Sequence, residues 1–362
     1  MSKASVLTTL TFIAAFGLSG CTGFVADQIV KPQNSRVVDM FTGYHETLLT
    51  AGIEPVDFET SVGTISAFQW KARPVELTTQ TSISENDDGS FHGSFVLKFS
   101  WNPNEPPDVE SLGTVVLLHG HTMSKEPMMT WASLFVDAGF DTVVPDLPGH
   151  GASVERPVTF GAVESLAIGE LVEQLKAQGT RQPIILFGVS LGASTGVLTA
   201  ADSEAISAVI GISPYDDPRV VIPRFRRWAP WWAKLFVSER RLLDAVEVAD
   251  DRAGFDYADT IVSEHIDENF NIPTLLLASS RDQLVPASET RKAAERSDMI
   301  SFIEVADADD HIMFSGDLGA RCREVMPWLA NTLGQELLRN PCTQLQTFQN
   351  IMEAHRPDES VN

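Results

Sequence analysis

Positive charge is scarce in this chain: 26 Lys and Arg stand against 49 Asp and Glu, a formal net charge of -23 over 362 residues. That balance excludes non-specific binding to nucleic acid, which needs cations to displace phosphate counterions. Cysteine is scarcer still, with three in all: Cys21, Cys322 and Cys342. The apolar run from Val6 to Leu18 is too short for a comfortable membrane-spanning helix, which takes about 20 residues. There is no internal repeat and no glycine-rich linker after the N-terminus. His119 and His121 lie two apart without a carboxylate or cysteine cluster beside them, so no metal is expected, and no cofactor is implied. The rest, 43% hydrophobic and 21% charged, is ordinary globular composition, enough for one large α/β domain with embellishments.

Lys3 and the Val6–Leu18 run have the layout of an export signal over residues 1–20. Its end, Leu18-Ser19-Gly20-Cys21, resembles the lipobox of bacterial lipoproteins, in which cleavage before the cysteine leaves it to carry the lipid. The alternative is an ordinary secretory signal with Cys21 incidental. By the same resemblance, Thr22 in place of Asp after the cysteine implies the outer membrane, facing the periplasm. Acyl chains on Cys21 would then be the membrane contact. Of the two remaining cysteines, Cys322 and Cys342 suit one disulfide in an exported chain; two free buried thiols are the other possibility.

Residues 21–112 form an N-terminal region. Val56 to Pro74 alternates like a strand pair joined at Val62-Gly63-Thr64, and Ser94 to Trp101 reads as another strand. The polar stretch Thr78 to Ser90 between them is expected to be an exposed turn. From Gly113 onward the rhythm changes. Short apolar runs (Thr114–Leu118, Thr142–Pro145, Pro183–Phe187, Ala208–Ile212, Pro273–Ala278, Ser301–Val305) are separated by helical stretches. Runs of Val, Ile and Leu without alternation suit strands buried on both faces. The alternation predicts an α/β fold with a mostly parallel central sheet over residues 113–340, followed by a tail at 341–362. Chemistry in such sheets collects at the carboxyl ends of the strands. Tyr215 to Asn271 is too long for a simple crossover and is expected to be an inserted helical cap, at about 215–271.

Gly188-Val189-Ser190-Leu191-Gly192 is a complete G-x-S-x-G. With Gly and Ser each near ~7% of residues, chance supplies one in a chain this long about one time in ten, so context decides. Here it follows the apolar strand Pro183–Phe187 and opens a helix of small residues, the strand–turn–helix setting of a nucleophile elbow. A serine hydroxyl needs a base to take its proton. His311 lies just beyond the last predicted strand and before the final helix pattern. The acid that would orient it could be Asp282, Asp216 or Asp217, each following a strand, or Asp307, Asp309 or Asp310 beside the histidine.

With His119-Gly120 after "VVLL", Asp146-Leu147-Pro148-Gly149-His150-Gly151 after the next strand, and "DQLVP" from Asp282, residues from about 113 to 335 resemble the α/β-hydrolase superfamily. Within it, the capped esterase, lysophospholipase and monoacylglycerol-lipase-like branch is the most similar. The resemblance implies Ser190 as nucleophile, His311 as base and Asp282 as acid, in that family's chain order. It also implies an oxyanion hole from the amides of Leu191 and His121, with Thr122 as neighbour, and structural roles for His119 and for the turn at Asp146–Gly151. The implied activity is hydrolysis of carboxylic esters, small or lipid, through an acyl-enzyme. A peptidase or amidase on the same triad, or an inactive envelope binding protein, are the alternatives. Relatives acting on haloalkanes or epoxides carry Asp where this chain has Ser190. The sequence says nothing of oligomeric state.

The cap departs from the acidity of the rest. Arg219 to Arg241 holds seven basic residues and one acid, Glu239, interleaved with Phe225, Trp228, Trp231, Trp232 and Phe236. These aromatics either pack on the body and line the acyl pocket, or form a face that also touches anionic lipid.

Overall fold

The structure is a computed structural model and describes residues 26–27, 29–31, 48–49, 53–85, 91–102, 109–228, 239–306 and 310–345. The export signal, Cys21, Asp307, Asp309, Trp231, Trp232, Phe236 and the end of the tail lie outside the described residues, as does the side chain of Trp228.

Ten strands are described: β1 (Glu54–Thr60), β2 (Gly63–Trp70), β3 (Glu76–Glu85), β4 (Phe91–Ser100), β5 (Thr114–Leu118), β6 (Asp141–Pro145), β7 (Ile184–Val189), β8 (Ala208–Ile212), β9 (Thr274–Ser279) and β10 (Ile300–Val305). Eight of them form one sheet in the order β1-β2-β6-β5-β7-β8-β9-β10. The pairs β1–β2 and β2–β6 are antiparallel, and the pairs from β6 through β10 are parallel. This is the mostly parallel α/β fold expected. β5 to β9 are buried along their whole length, which is why they read as unbroken apolar runs. β10 closes the sheet and turns Ser301, Glu304 and other residues to solvent, as suits an edge.

The helices are α1 (Lys125–Ala138), α2 (Ala162–Ala177), α3 (Leu191–Asp202), α4 (Pro218–Val221), α5 (Glu239–Ala253), α6 (Val262–His265), α7 (Ala287–Ala294), α8 (His311–Gly316) and α9 (Leu318–Leu333). Successive strand residues point to opposite faces, so the core splits in two. Val116, Leu118, Leu186, Val209 and Leu276 meet α2 and α3 on one side. Val115, Leu117, Phe187, Ile210 and Leu277 meet α1 and α9 on the other. Full burial of each such side chain stabilises by about 1.5–3 kcal/mol.

The stretch Thr78–Ser90 differs from expectation. Up to Glu85 it is strand β3, paired with β4 in full antiparallel register from Glu76↔Ser100 to Glu85↔Phe91, as a separate two-stranded ribbon. Thr78, Thr79, Thr81 and Ile83 are β-branched and favour a strand despite the polar composition; polarity here marks a ribbon outside the main sheet and not a turn. Between β8 and β9, where the sequence predicts a cap, the described residues hold α4, a 3₁₀ turn (Ile222–Trp228), α5, a second 3₁₀ turn (Tyr257–Thr260) and α6.

At the far end of the chain a disulfide joins Cys322 of α9 to Cys342, in a 3₁₀ turn (Pro341–Gln344). Buried Asp137 of α1 holds this segment. It accepts the Val75 N–H at 2.9 Å, the Gln344 Nε2–H at 3.3 Å and pairs with Arg339 at 3.1 Å. Burial raises its pKa, against the pull of Val75 and Arg339. Among the described residues no helix is long and apolar enough to cross a membrane.

Candidate active site

Ser190 stands between the end of β7 and the start of α3 with φ 53 and ψ -116, a conformation that costs on the order of 1–3 kcal/mol and must be enforced by its surroundings. The surroundings do enforce it. The Ser190 N–H donates to the Ile212 carbonyl at 2.8 Å, and its own carbonyl accepts from Ala193 and Ser194 at 2.9 and 3.0 Å. A Cβ on Gly188 would stand 2.3 Å from the Gly192 carbonyl, and one on Gly192 would stand 2.2 Å from the Leu118 carbonyl. Those two glycines let the elbow fold back on β7 and against β5. Leu191 is the first residue of α3, so its N–H has no acceptor within the helix and is free for developing negative charge.

Downstream, His311 opens α8 after β10 and Asp282 sits in the loop after β9. The chain brings them together: His311 Nδ1 lies 2.6 Å from Asp282 Oδ2, with both residues buried. The other carboxylate oxygen, Oδ1, accepts the N–H groups of Leu284 and Val285 at 2.9 and 2.8 Å. With Asp282 ionised, Nδ1 carries the proton and Nε2 keeps its lone pair, the tautomer a general base needs. The competing acids are engaged elsewhere. Asp216 accepts the Ser263 N–H at 2.7 Å, Asp217 binds the Arg219 side chain, and Asp310 is exposed.

The loop after β5 reaches the same place. A Cβ on Gly120 would stand 3.6 Å from the Ser190 Cβ, so the His119–Thr122 backbone runs beside the elbow. His119 is structural. Its Nε2 accepts the Leu147 N–H at 3.0 Å and its Nδ1 donates to the Gly120 carbonyl at 2.8 Å, so one neutral ring joins the loops after β5 and β6. The His150 ring lies 5.0 Å from that of His119 and 5.8 Å from that of His121. Burial lowers the pKa of His119 to about 4, and of His121 and His150 to about 3. All three are neutral at physiological pH. Among the described residues no cluster of His, Cys, Asp or Glu could hold a metal ion.

Sequence reasoning missed the supports. Lys125 and Asp146 form an ion pair with side chains 2% and 0% exposed. Asp146 also accepts the Lys125 N–H at 2.7 Å and the Ala152 N–H at 2.8 Å, which ties α1 to the turn after β6. A lysine in an otherwise ordinary helix start gave no signal of burial. One wall was missed as well: Phe160 packs on His121 at a ring distance of 5.0 Å, whereas Phe225, one of the cap aromatics expected to pack on the body, lies 5.5 Å from the same ring. The Glu164 carboxylate pins the Phe160 turn by accepting from the N–H groups of Thr159 and Gly161 and from the Thr159 hydroxyl. Tyr215 donates its hydroxyl proton to the Phe160 carbonyl at 3.0 Å.

Backbone strain marks the same end of the sheet. Among the described residues the non-glycine positions with positive φ are Thr122, Phe160, Ser190 and Ser213, which follow β5, β6, β7 and β8. A cavity of about 50 Å³ is lined by Arg224, Arg227, Gln283, Leu284, Asp310 and His311. A larger one, about 400 Å³, lies at the opposite ends of the strands, where Thr114 and Asp141 begin β5 and β6.

The sequence pattern of the alpha/beta hydrolase family matches residues 115–325, more than half of the chain. The uncharacterized protein YqkD of Bacillus subtilis is 24% identical over 230 residues, which are 62% of this chain and 71% of that protein. Among solved structures, the esterase Pf2001 of Pyrococcus furiosus is 17% identical with a TM-score of 0.54, covering 80% of this chain and 95% of the other. The alpha/beta hydrolase GrgF of Penicillium sp. sh18 is 15% identical with a TM-score of 0.55, covering 78% and 99%. At these identities the two structural likenesses are likenesses of fold.

Proposed function

The chain belongs to the alpha/beta hydrolase family, and on that premise we propose that it cleaves carboxylic esters through an acyl-enzyme on Ser190. The observation that carries the reading is the Asp282–His311 contact at 2.6 Å, at the same end of the sheet as the strained serine. His311 Nε2 takes the proton of the Ser190 hydroxyl as Oγ attacks the ester carbonyl carbon. The carbonyl oxygen becomes an oxyanion facing the amides of Leu191 and His121. Collapse returns the proton from His311 to the departing alkoxide, which leaves as the alcohol. Water, deprotonated by His311, then attacks the acyl carbon, and the acid leaves as Ser190 recovers its proton. Each oxyanion donor is worth on the order of 10²–10³ in rate.

The same proposal takes Cys21 as an acylated residue that anchors an exported enzyme to the bacterial envelope, in the outer membrane facing the periplasm. Two features support it: the Leu18-Ser19-Gly20-Cys21 sequence, and the Cys322–Cys342 disulfide, which persists in oxidising compartments and not in the cytosol.

A series of p-nitrophenyl esters of increasing chain length, assayed with wild type and Ser190→Ala, tests the catalytic reading together with labelling by a fluorophosphonate probe. Wild type is expected to hydrolyse at least the short members and to be labelled at Ser190; the variant is expected to do neither. Ester cleavage surviving in Ser190→Ala would overturn the assignment.

A further inference from the structure

The described residues nearest Cys21 in the chain do not trail away from the body; they are built into the rim of the catalytic end. The Val30 carbonyl accepts the Val158 N–H at 2.8 Å. Val158 lies two residues before Phe160, whose ring packs on His121. Asp27 forms an ion pair at 2.5 Å with Arg252, in the last turn of cap helix α5. Ala26, Ile29 and Val30 are buried in the apolar cluster that includes Val158, Phe160 and Ala249. This segment is therefore held between the Phe160 wall and the cap.

Ala26 follows Cys21 by five residues. A chain of five residues spans at most about 18 Å even when fully extended. An acylated Cys21 would hold Ala26 within that distance of the bilayer surface, whatever path residues 22–25 take, and Ala26 is buried in the same apolar cluster as Phe160. The protein carries -23 overall, and the cavity beside His311 is of mixed charge, lined by Arg224, Arg227 and Asp310, so the anchor's short reach carries the orientation.

We infer that this rim, formed by residues 26–27 and 29–31, the loop ending at Phe160 and the cap arginines, is a bilayer-facing surface. The site then draws acyl esters from the membrane that holds its own anchor. The inference rests on the acylation of Cys21 and on the ester reading proposed above, and goes beyond both in assigning an orientation.

The test uses the full acylated chain in vesicles of phosphatidylethanolamine and phosphatidylglycerol containing a rhodamine-labelled lipid. A donor dye is attached in turn at Glu155→Cys, exposed three residues before Val158, and at Gln178→Cys, exposed beside the cavity at the opposite end of the strands. Energy transfer from position 155 is expected to exceed that from 178 at least twofold. A spacer of twenty Gly and Ser residues between Thr22 and Gly23 adds a mean reach of about 25 Å and should abolish the difference. It should also cut hydrolysis of a vesicle-embedded long-chain diacylglycerol about tenfold, while p-nitrophenyl butyrate is cleaved as before. Equal or inverted transfer in the unspaced chain would overturn the inference, as would failure of the chain to become acylated. Vesicle hydrolysis unchanged by the spacer would overturn the assignment of membrane esters as substrate. The expected transfer in a chain that cleaves no ester would uphold the surface and sink the ester reading alone.

Discussion

Asp282 Oδ2 faces His311 Nδ1 at 2.6 Å while Asp282 Oδ1 is held by two backbone amides. The carboxylate is thus oriented from behind before it orients the histidine. In Asp282→Asn the amide oxygen would keep the Leu284 and Val285 bonds and turn its NH₂ toward His311. Nδ1 must then accept, and the proton moves to Nε2, where it blocks the base. We expect the ester hydrolysis rate to fall on the order of 10³–10⁴ with little change in the unfolding midpoint, measured by steady-state kinetics and circular dichroism on the same preparation. Activity within tenfold of wild type would rule out Asp282 as the orienting acid.

Gly192 has a different cost. An added methyl would meet the Leu118 and His119 backbone at 2.2 to 2.7 Å, and backbone cannot rotate aside. Gly192→Ala is expected to destabilise by about 3 kcal/mol or more, at the upper end of overpacking effects, and to abolish activity by displacing Ser190. Gly179→Ala is the control. It has φ +75 but nothing within 4 Å, so it should lose only the ~1–2 kcal/mol of left-handed strain. Chemical denaturation of both variants checks the contrast.

Lys125 and Asp146 should behave as one unit. Lys125→Met leaves a buried carboxylate uncompensated and is expected to cost about 3–5 kcal/mol. Adding Asp146→Asn should recover part of that loss, because the second change removes the stranded charge. A double mutant that loses as much as the two single mutants combined would show that the pair is not coupled.

The three buried imidazoles make stability depend on acid. A histidine whose folded pKa is depressed binds fewer protons folded than unfolded. Its contribution is therefore complete above the unfolded value of 6.5 and is lost as pH falls toward about 4 for His119 and about 3 for His121 and His150. Within that window each group lowers stability by up to about 1.4 kcal/mol per pH unit. Urea unfolding at pH 7 and pH 5 should show the decline, and His150→Gln should make it shallower. A slope unchanged by that substitution would mean that His150 is not buried neutral.

Some of this was legible early because it depends on local rules. Strands buried on both faces need unbroken apolar runs, so β5 to β9 announced themselves. An elbow needs small neighbours, so Gly188 and Gly192 flagged Ser190. Where the rule was not local, reading failed: the polar residues of β3 looked like a turn because nothing nearby shows that β4 will pair with them.

The sequence by itself determined the order of elements, the parallel sheet and the serine's turn, because each follows from periodicity and side-chain size within a few residues. The family resemblance pointed to Asp282 among several acids, but only the tertiary structure decided that it meets His311, that Lys125 is buried on Asp146, and that residues 26–27 and 29–31 lie against the loop ending at Phe160. Those outcomes depend on which loops converge at one end of the sheet, and groups 20 to 130 residues apart become neighbours only once the strands have stacked. Ser190 and His311 are separated by 121 positions; it is the sheet that places their loops at one end.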